Sequence, residues 1–186
     1  MAVSAPAKPA LQTAEDLERL SAQGCRYELV RGELREIARP GGIEGSCTSC
    51  LSFYVGAVAI PQDSGVTFAA GTGFLVERNP DTVIAPDFAF VAKGRLPSPL
   101  PDGFVAIIPD IVLETRSLSK SKKQASAKVV FWLELGVKLV WKLNPNIRLL
   151  TTYRANRAPL SLGEGDTLDG EDVLPGLSVP IARLFL

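Results

Sequence analysis

No histidine occurs anywhere in the 186 residues. That absence removes Ser-His-Asp and Cys-His nucleophilic mechanisms, histidine general bases and histidine-ligated metals. Cysteine is scarce too. Cys25, Cys47 and Cys50 are the only three, an odd number that builds no disulfide framework and fits a reducing, cytoplasmic setting. Cys47-Thr48-Ser49-Cys50 is a lone CxxC. A zinc site needs a second ligand pair, so these thiols read as small hydrophobes. Neither sign of charge is in excess, with 20 basic and 20 acidic residues. This argues against a dominant basic face, while a local patch stays open. No apolar run approaches the length of a membrane span. GxxxxGK(S/T) and GxGxxG loops are both missing, so phosphate-cradle nucleotide binding has no support. Residues 1–10 are rich in Ala and Pro, lack a signal-peptide core and read as a flexible tail.

What is present suits one globular domain over residues 11–186, because 46% of the chain is hydrophobic. Thr13 caps a short helix that runs to about Gln23, with an acid at its third position. Residues 27–30 and 34–37 form two strands joined at Arg31-Gly32-Glu33. Residues 44–60 place Cys47, Cys50, Leu51, Tyr54, Val55 and Val58 at helical steps. Strands follow near 66–69, 73–77 and 83–91, and the Pro-rich stretch 93–103 reads as a loop. A strand over 107–116 leads through Ser117-Leu118-Ser119 to a helix over 120–135, closed by Gly136. Residues 137–143 and 147–153 form a hairpin across Asn144-Pro145-Asn146. Helices interleaved with strands predict an α/β or α+β sheet with helices on its faces.

The two segments 83–91 and 107–116 are apolar on both faces, as strands covered by other elements are. Each carries an acid, Asp87 and Glu114. A buried carboxylate is costly unless it is paired or metal-bound, so a divalent cation is the leading partner. A plain salt bridge or a water-exposed strand end is the simpler reading. Strand alternation puts Ile108, Asp110, Val112, Glu114 and Arg116 on one face. Asp110 reads as a turn residue. Lys128 lies one turn before Trp132, on or beside the core-facing side of its helix, within reach of Glu114. Two acids and a cation suit metal-assisted phosphoryl transfer: the acids hold Mg²⁺ or Mn²⁺, the metal activates water, and the lysine positions that water or stabilises charge.

In these residues the chain resembles the Uma2 (DUF820) family of nucleases, within the PD-(D/E)XK restriction-endonuclease-like superfamily. The resemblance rests on Tyr27-Glu28-Leu29-Val30-Arg31-Gly32-Glu33-Leu34, Pro86-Asp87-Phe88-Ala89-Phe90-Val91 and Pro109-Asp110-Ile111-Val112-Leu113-Glu114-Thr115-Arg116-Ser117. Lys128 with Trp132, Val140-Trp141, Asn144-Pro145, Leu168-Asp169-Gly170 and Leu174-Pro175-Gly176 continue it, so that it covers nearly everything from Tyr27 to Phe185. It departs near Glu44-Gly45, where many relatives have a histidine. Ser117-Leu118 also stands for the usual Ser-Pro, and Asn144-Pro145 for the usual Asp-Pro.

The resemblance implies a restriction-endonuclease-like mixed β-sheet flanked by α-helices, here with an N-terminal helix and β-hairpin additions. It implies Asp87 and Glu114 as metal acids and Lys128 as the catalytic lysine, displaced onto the helix. Arg116 occupies that lysine's usual place, two residues after the acid, as an assisting group. Glu28 or Glu33 would complete the acidic cluster, and Lys120, Lys122 and Lys123 would meet phosphates. The implied activity is Mg²⁺-dependent DNA hydrolysis, without a membrane, and a homodimer is an arrangement that such relatives often use. The alternative is a catalytically weak or inactive relative that binds nucleic acid or a protein partner on the same scaffold.

Overall fold

The computed structural model describes residues 12–116 and 122–185. The proposed tail, Ser117-Leu118-Ser119 and Lys120 lie outside them. The first helix, α1 (Ala14–Ala22), opens on a reciprocal capping box. The Thr13 hydroxyl accepts the Asp16 N–H at 3.2 Å, and Asp16 accepts the Thr13 N–H at 2.9 Å. Leu17 of this helix packs with Leu29 and Val83.

Strands β1 (Tyr27–Val30) and β2 (Glu33–Glu36) pair antiparallel with Val30 opposite Glu33. The turn is therefore the two residues Arg31-Gly32, with φ of 51° and 79°. Positive φ at both positions matches the right-handed twist of a tight hairpin. Glu33, expected in the turn, belongs to β2.

The chain continues through α2 (Gly42–Ala59), β3 (Gly65–Phe68), β4 (Phe74–Glu77), β5 (Thr82–Ile84), β6 (Phe88–Ala92) and β7 (Ile111–Thr115). Next come α3 (Lys122–Glu134), β8 (Leu139–Asn144), β9 (Leu149–Tyr153), β10 (Leu160–Leu162), β11 (Thr167–Asp169) and β12 (Ser178–Pro180). A six-stranded mixed sheet has the order β10-β9-β8-β7-β6-β3, and a four-stranded sheet the order β2-β1-β5-β4. Only β7 and β8 are parallel in the large sheet, joined by α3 as a crossover.

Strand alternation divides the core. Ile111, Leu113, Phe88, Phe90, Trp141 and Leu143 face α2 and the C-terminal segment. Val112, Ala89, Val91 and Val140 face Val129 and Trp132 of α3. The C-terminal apolar stretch packs into the first of these layers through Leu177, Val179, Ile181 and Leu184. Each such side chain, fully buried, contributes about 1.5–3 kcal/mol, enough to hold this short-stranded region against the sheet.

The main correction concerns residues 83–91. They are not one strand but two, in different sheets. Pro86 supplies no N–H for a ladder, and the chain crosses from β5 to β6 at Ala85-Pro86-Asp87. The second acid strand is also shorter than expected, because residues 107–110 stay outside the regular ladder. Short strands β10 to β12 occupy the glycine-rich tail, where the sequence shows too little alternation to reveal them.

Candidate active site

The sheet switch at Ala85 leaves a backbone N–H and a carbonyl without strand partners, and two charged side chains take them up. Glu28 Oε1 accepts the Ala85 N–H at 3.1 Å, and the Lys128 ammonium donates to Ala85 O at 3.3 Å. The same ammonium lies 2.8 Å from Glu28 Oε1 and 3.1 Å from Glu114 Oε1. Trp132, one turn after Lys128 on α3, donates its indole N–H to Glu114 Oε1 at 2.9 Å. One lysine is thus clamped between two buried glutamates that come from different sheets.

Asp87 stands next to this group, close enough for its charge to act on Glu114. Its N–H donates to Leu113 O at 3.1 Å, and its Oδ2 accepts the Thr115 N–H at 2.6 Å. The regular β6–β7 ladder ends at Phe88 opposite Leu113, and these two bonds tie the Asp87 link to the end of β7, where Asp87 and Thr115 line one pocket.

Electrostatics follow from this packing. Burial pushes the Glu114 carboxyl above its ordinary range. Lys128 counters that, the Asp87 and Glu28 charges add to it, and the Trp132 hydrogen bond opposes it. For Lys128, burial disfavours the charged form, but the carboxylates of Glu114 and Glu28 outweigh it and hold the ammonium more tightly protonated than usual.

The cluster lies at the junction of two hollows. A cleft of about 860 Å³ is lined by Glu28, Glu33, Arg35, Glu114, Arg116 and Lys128, among others. A pocket of about 300 Å³ on the α2 side is lined by Asp87, Thr48, Ser52 and Glu44. Thr115 borders both, and its hydroxyl lies 3.0 Å from that of Thr48.

Of the residues singled out from the sequence, Glu28, Glu114 and Lys128 come together; Asp87 lies near enough for its charge to raise the Glu114 carboxyl, but it opens into the α2-side pocket. Arg116 lies on the cleft wall. Glu33 is exposed on β2, facing the same cleft but outside the bonded cluster. Lys122 and Lys123 open α3. Asp87 is half-buried in the interstrand link, rather than buried within a strand.

Burial of an acid does not by itself mark the site. Asp81 and Asp110 are buried as well as Glu28 and Glu114. Asp81 accepts the Ala14 N–H at 2.9 Å and pairs with Arg78. Asp110, expected at a turn, is fully buried before β7. It accepts the Ala92 N–H at 2.9 Å and pairs with Arg95 and Lys138. Backbone and surface cations account for both acids, away from the cleft.

Lys142 is the residue that local reading passed over. It stands beside Glu114 in the parallel β7–β8 register and lines the cleft. Its signal in the sequence is a lone lysine among Leu139, Val140, Trp141 and Leu143.

The acids offer hard oxygen ligands for Mg²⁺ or Mn²⁺. Among the described residues no three acidic or sulfur side chains converge on one point. Two carboxylates suffice for Mg²⁺, which keeps several waters of its own. The oxygen chemistry of Asp87 and Glu114 suits such a water-completed site.

The fold is of the restriction-endonuclease-like nuclease class. A solved structure of "a putative nuclease belonging to DUF820" from Anabaena variabilis ATCC 29413 superposes with a TM-score of 0.78, covering 92% of this chain and 96% of that chain. Sequence identity is 19%, so the likeness speaks for the fold. The chain itself belongs to the Uma2 family, whose description reads "Putative restriction endonuclease" and which matches residues 14–182. No curated protein matches. Among the described residues no helix is long and apolar enough to cross a membrane.

Proposed function

We propose that this protein is a Mg²⁺-dependent endonuclease that hydrolyses phosphodiester bonds in DNA, built as one domain over residues 11–186. The observation that carries the reading is the Glu28–Lys128–Glu114 clamp, set beside Asp87 at the mouth of a cleft. Asp87 and Glu114 would hold the metal. When bound, Mg²⁺ or Mn²⁺ supplies a polarised water and offsets charge on the phosphorus oxygens.

The protein's own groups do the rest. The Thr115 N–H aims the Asp87 carboxylate, and Trp132 aims Glu114. Lys128 brings a fixed positive charge to the face where phosphoryl oxygens gather charge. Glu28 keeps that ammonium in place and protonated. Arg116 presents a second cation from the cleft wall, and Lys120, Lys122 and Lys123 would supply phosphate contacts.

A binding module on the same scaffold is the second reading. It is favoured by one feature: Glu114 Oε1 is already engaged by Lys128 and Trp132. Supercoiled plasmid incubated with Mg²⁺ or Mn²⁺ separates the two. The nuclease reading expects nicking by the wild type that falls about 100-fold or more in Asp87→Asn and Lys128→Ala. No nicking, or equal nicking by all three proteins, sinks it. DNA binding that persists without metal and without cutting supports the binding module.

A further inference from the structure

The chain leaves β2 at Glu36 and runs through Ile37, Ala38 and Arg39 along the line where the two hollows meet. Ala38 lines both of them, Arg35 lines the cleft and Arg39 lines the α2-side pocket. Arg35 stands opposite Glu28 in the β1–β2 register, so its side chain leaves the hairpin on the same face as that clamp carboxylate. Leu29 and Leu34 leave by the other face and pack with Leu17. Arg35 is thus one strand from the Glu28–Lys128–Glu114 clamp. Arg39, four residues on, lies at most about 14 Å further along the chain.

Both arginines are exposed, and neither makes a side-chain hydrogen bond or ion pair among the described residues. Elsewhere on the molecule Arg19, Arg78, Arg95, Arg148, Arg154 and Arg157 all hold carboxylates. Arg35 has acids within its own hairpin and pairs with none of them. Glu28, opposite it, is already taken by Lys128 and the Ala85 N–H. The two guanidinium groups therefore present free charge on either side of the junction where Asp87 and Glu114 lie. A guanidinium is a planar fork of donors that matches phosphate oxygens two at a time. The pocket that Arg39 lines is walled by Gly45, Ala69 and Ala70 and by Thr48, Ser49 and Ser52. That small, hydroxyl-bearing lining suits the sugar of a nucleotide.

We propose that the cut DNA strand runs along residues 35–39. Arg35 binds a backbone phosphate on the cleft side of the scissile one, and Arg39 binds a phosphate on the side of the α2 pocket, which takes the sugar next to it. This rests on the nuclease reading above. Phosphate contacts of this kind carry no sequence information; they fix the register of the strand. One arginine on each side of the junction would set the scissile phosphate over Asp87 and Glu114.

The test is anisotropy of a labelled DNA duplex in Ca²⁺, over a range of salt concentrations, with plasmid nicking in Mg²⁺ in parallel. Each phosphate neutralised on duplex DNA adds about 0.9 to the slope of log affinity against log salt. Arg35→Gln and Arg39→Gln should each lower that slope by about 0.9 and weaken binding about tenfold, as loss of a charged hydrogen bond does. Arg35→Lys and Arg39→Lys keep the charge and should keep the slope. Both side chains are exposed and unbonded, so urea unfolding should not move in any of these variants, which separates a lost contact from a damaged fold. Arg19→Gln lies on exposed α1, lines neither hollow and should change neither binding nor nicking. A wild type that nicks DNA, with both glutamine variants binding at its slope, overturns the strand path and leaves the nuclease reading standing. A lowered slope in Arg35→Gln alone overturns the passage into the α2-side pocket. Slopes that fall as expected in a protein that never nicks keep the two contacts and overturn the nuclease reading. A wild type that neither binds nor nicks overturns both.

Discussion

Trp132 donates its indole N–H to Glu114 Oε1 at 2.9 Å, and both side chains are buried. A ring that sequence periodicity marks only as core-facing is therefore also what aims the Glu114 carboxylate. Trp132→Phe keeps most of the packing and removes the donor. It should cost about 1–3 kcal/mol in urea unfolding and weaken Mg²⁺ binding measured by calorimetry, because Glu114 then holds its proton more tightly. Wild-type stability together with wild-type affinity would show that the bond is idle.

Glu114 has a folded-state pKa raised above 4.5. Its contribution to stability is fully present below that unfolded value and is lost as pH rises through the folded one. Metal binding needs the ionised form, so the acid limb of nicking should lie above the ordinary carboxylate range. Glu28→Gln removes a raising charge and should move the Glu114 midpoint down; Lys128→Met removes the lowering charge and should move it up. Carbon-13 NMR of the Glu114 carboxyl reads both directly. Shifts in the opposite order would contradict the clamp.

Lys128→Met should also destabilise the protein, by about 3 kcal/mol, since it strands two buried carboxylates. Adding Glu28→Gln and Glu114→Gln should restore much of that loss in urea unfolding while leaving nicking abolished. Recovery of cutting in the triple variant would mean that neither Lys128 nor Glu114 takes part in the chemistry and that both serve the fold alone.

Asp110 gives the opposite pattern. Burial works against its charge, but the Ala92 N–H, Lys138 and Arg95 outweigh it and hold the carboxyl below 3.8. The stability it contributes is present above that value and lost as pH falls through the folded one. Asp110→Asn should lower stability by about 3 kcal/mol near neutral pH, with the gap to wild type closing in acid. Nicking per folded molecule should not change. A selective loss of nicking with stability intact would place Asp110 in the site after all.

Much of the fold is written locally. Thr13 and Asp16 announce the first cap, Arg31-Gly32-Glu33 a turn between two strands that closes one residue tighter than expected, and the apolar run over 107–116 a covered strand, of which 111–115 forms. Alternation also set Glu114 on the face that α3 covers, and helical spacing put Lys128 within reach of it; the two are 3.1 Å apart. These signals survive in the sequence because they depend on neighbours within a few residues.

Other features depend on partners far along the chain. The apolar run 83–91 reads as one strand, because only competition between two sheets decides that it breaks at Pro86. That break creates the unpaired Ala85 groups that draw Glu28 and Lys128 together across 100 residues of sequence. Asp110 and Glu114 look alike as acids in an apolar strand, and the cations that reach each of them separate their roles. Lys142 is an ordinary strand residue until the parallel register of β7 and β8 sets it beside Glu114. The sequence by itself determined which residues carry charge into apolar strands. Tertiary structure alone decided which of those charges meet, because register and sheet order are set by long-range packing and not by local periodicity.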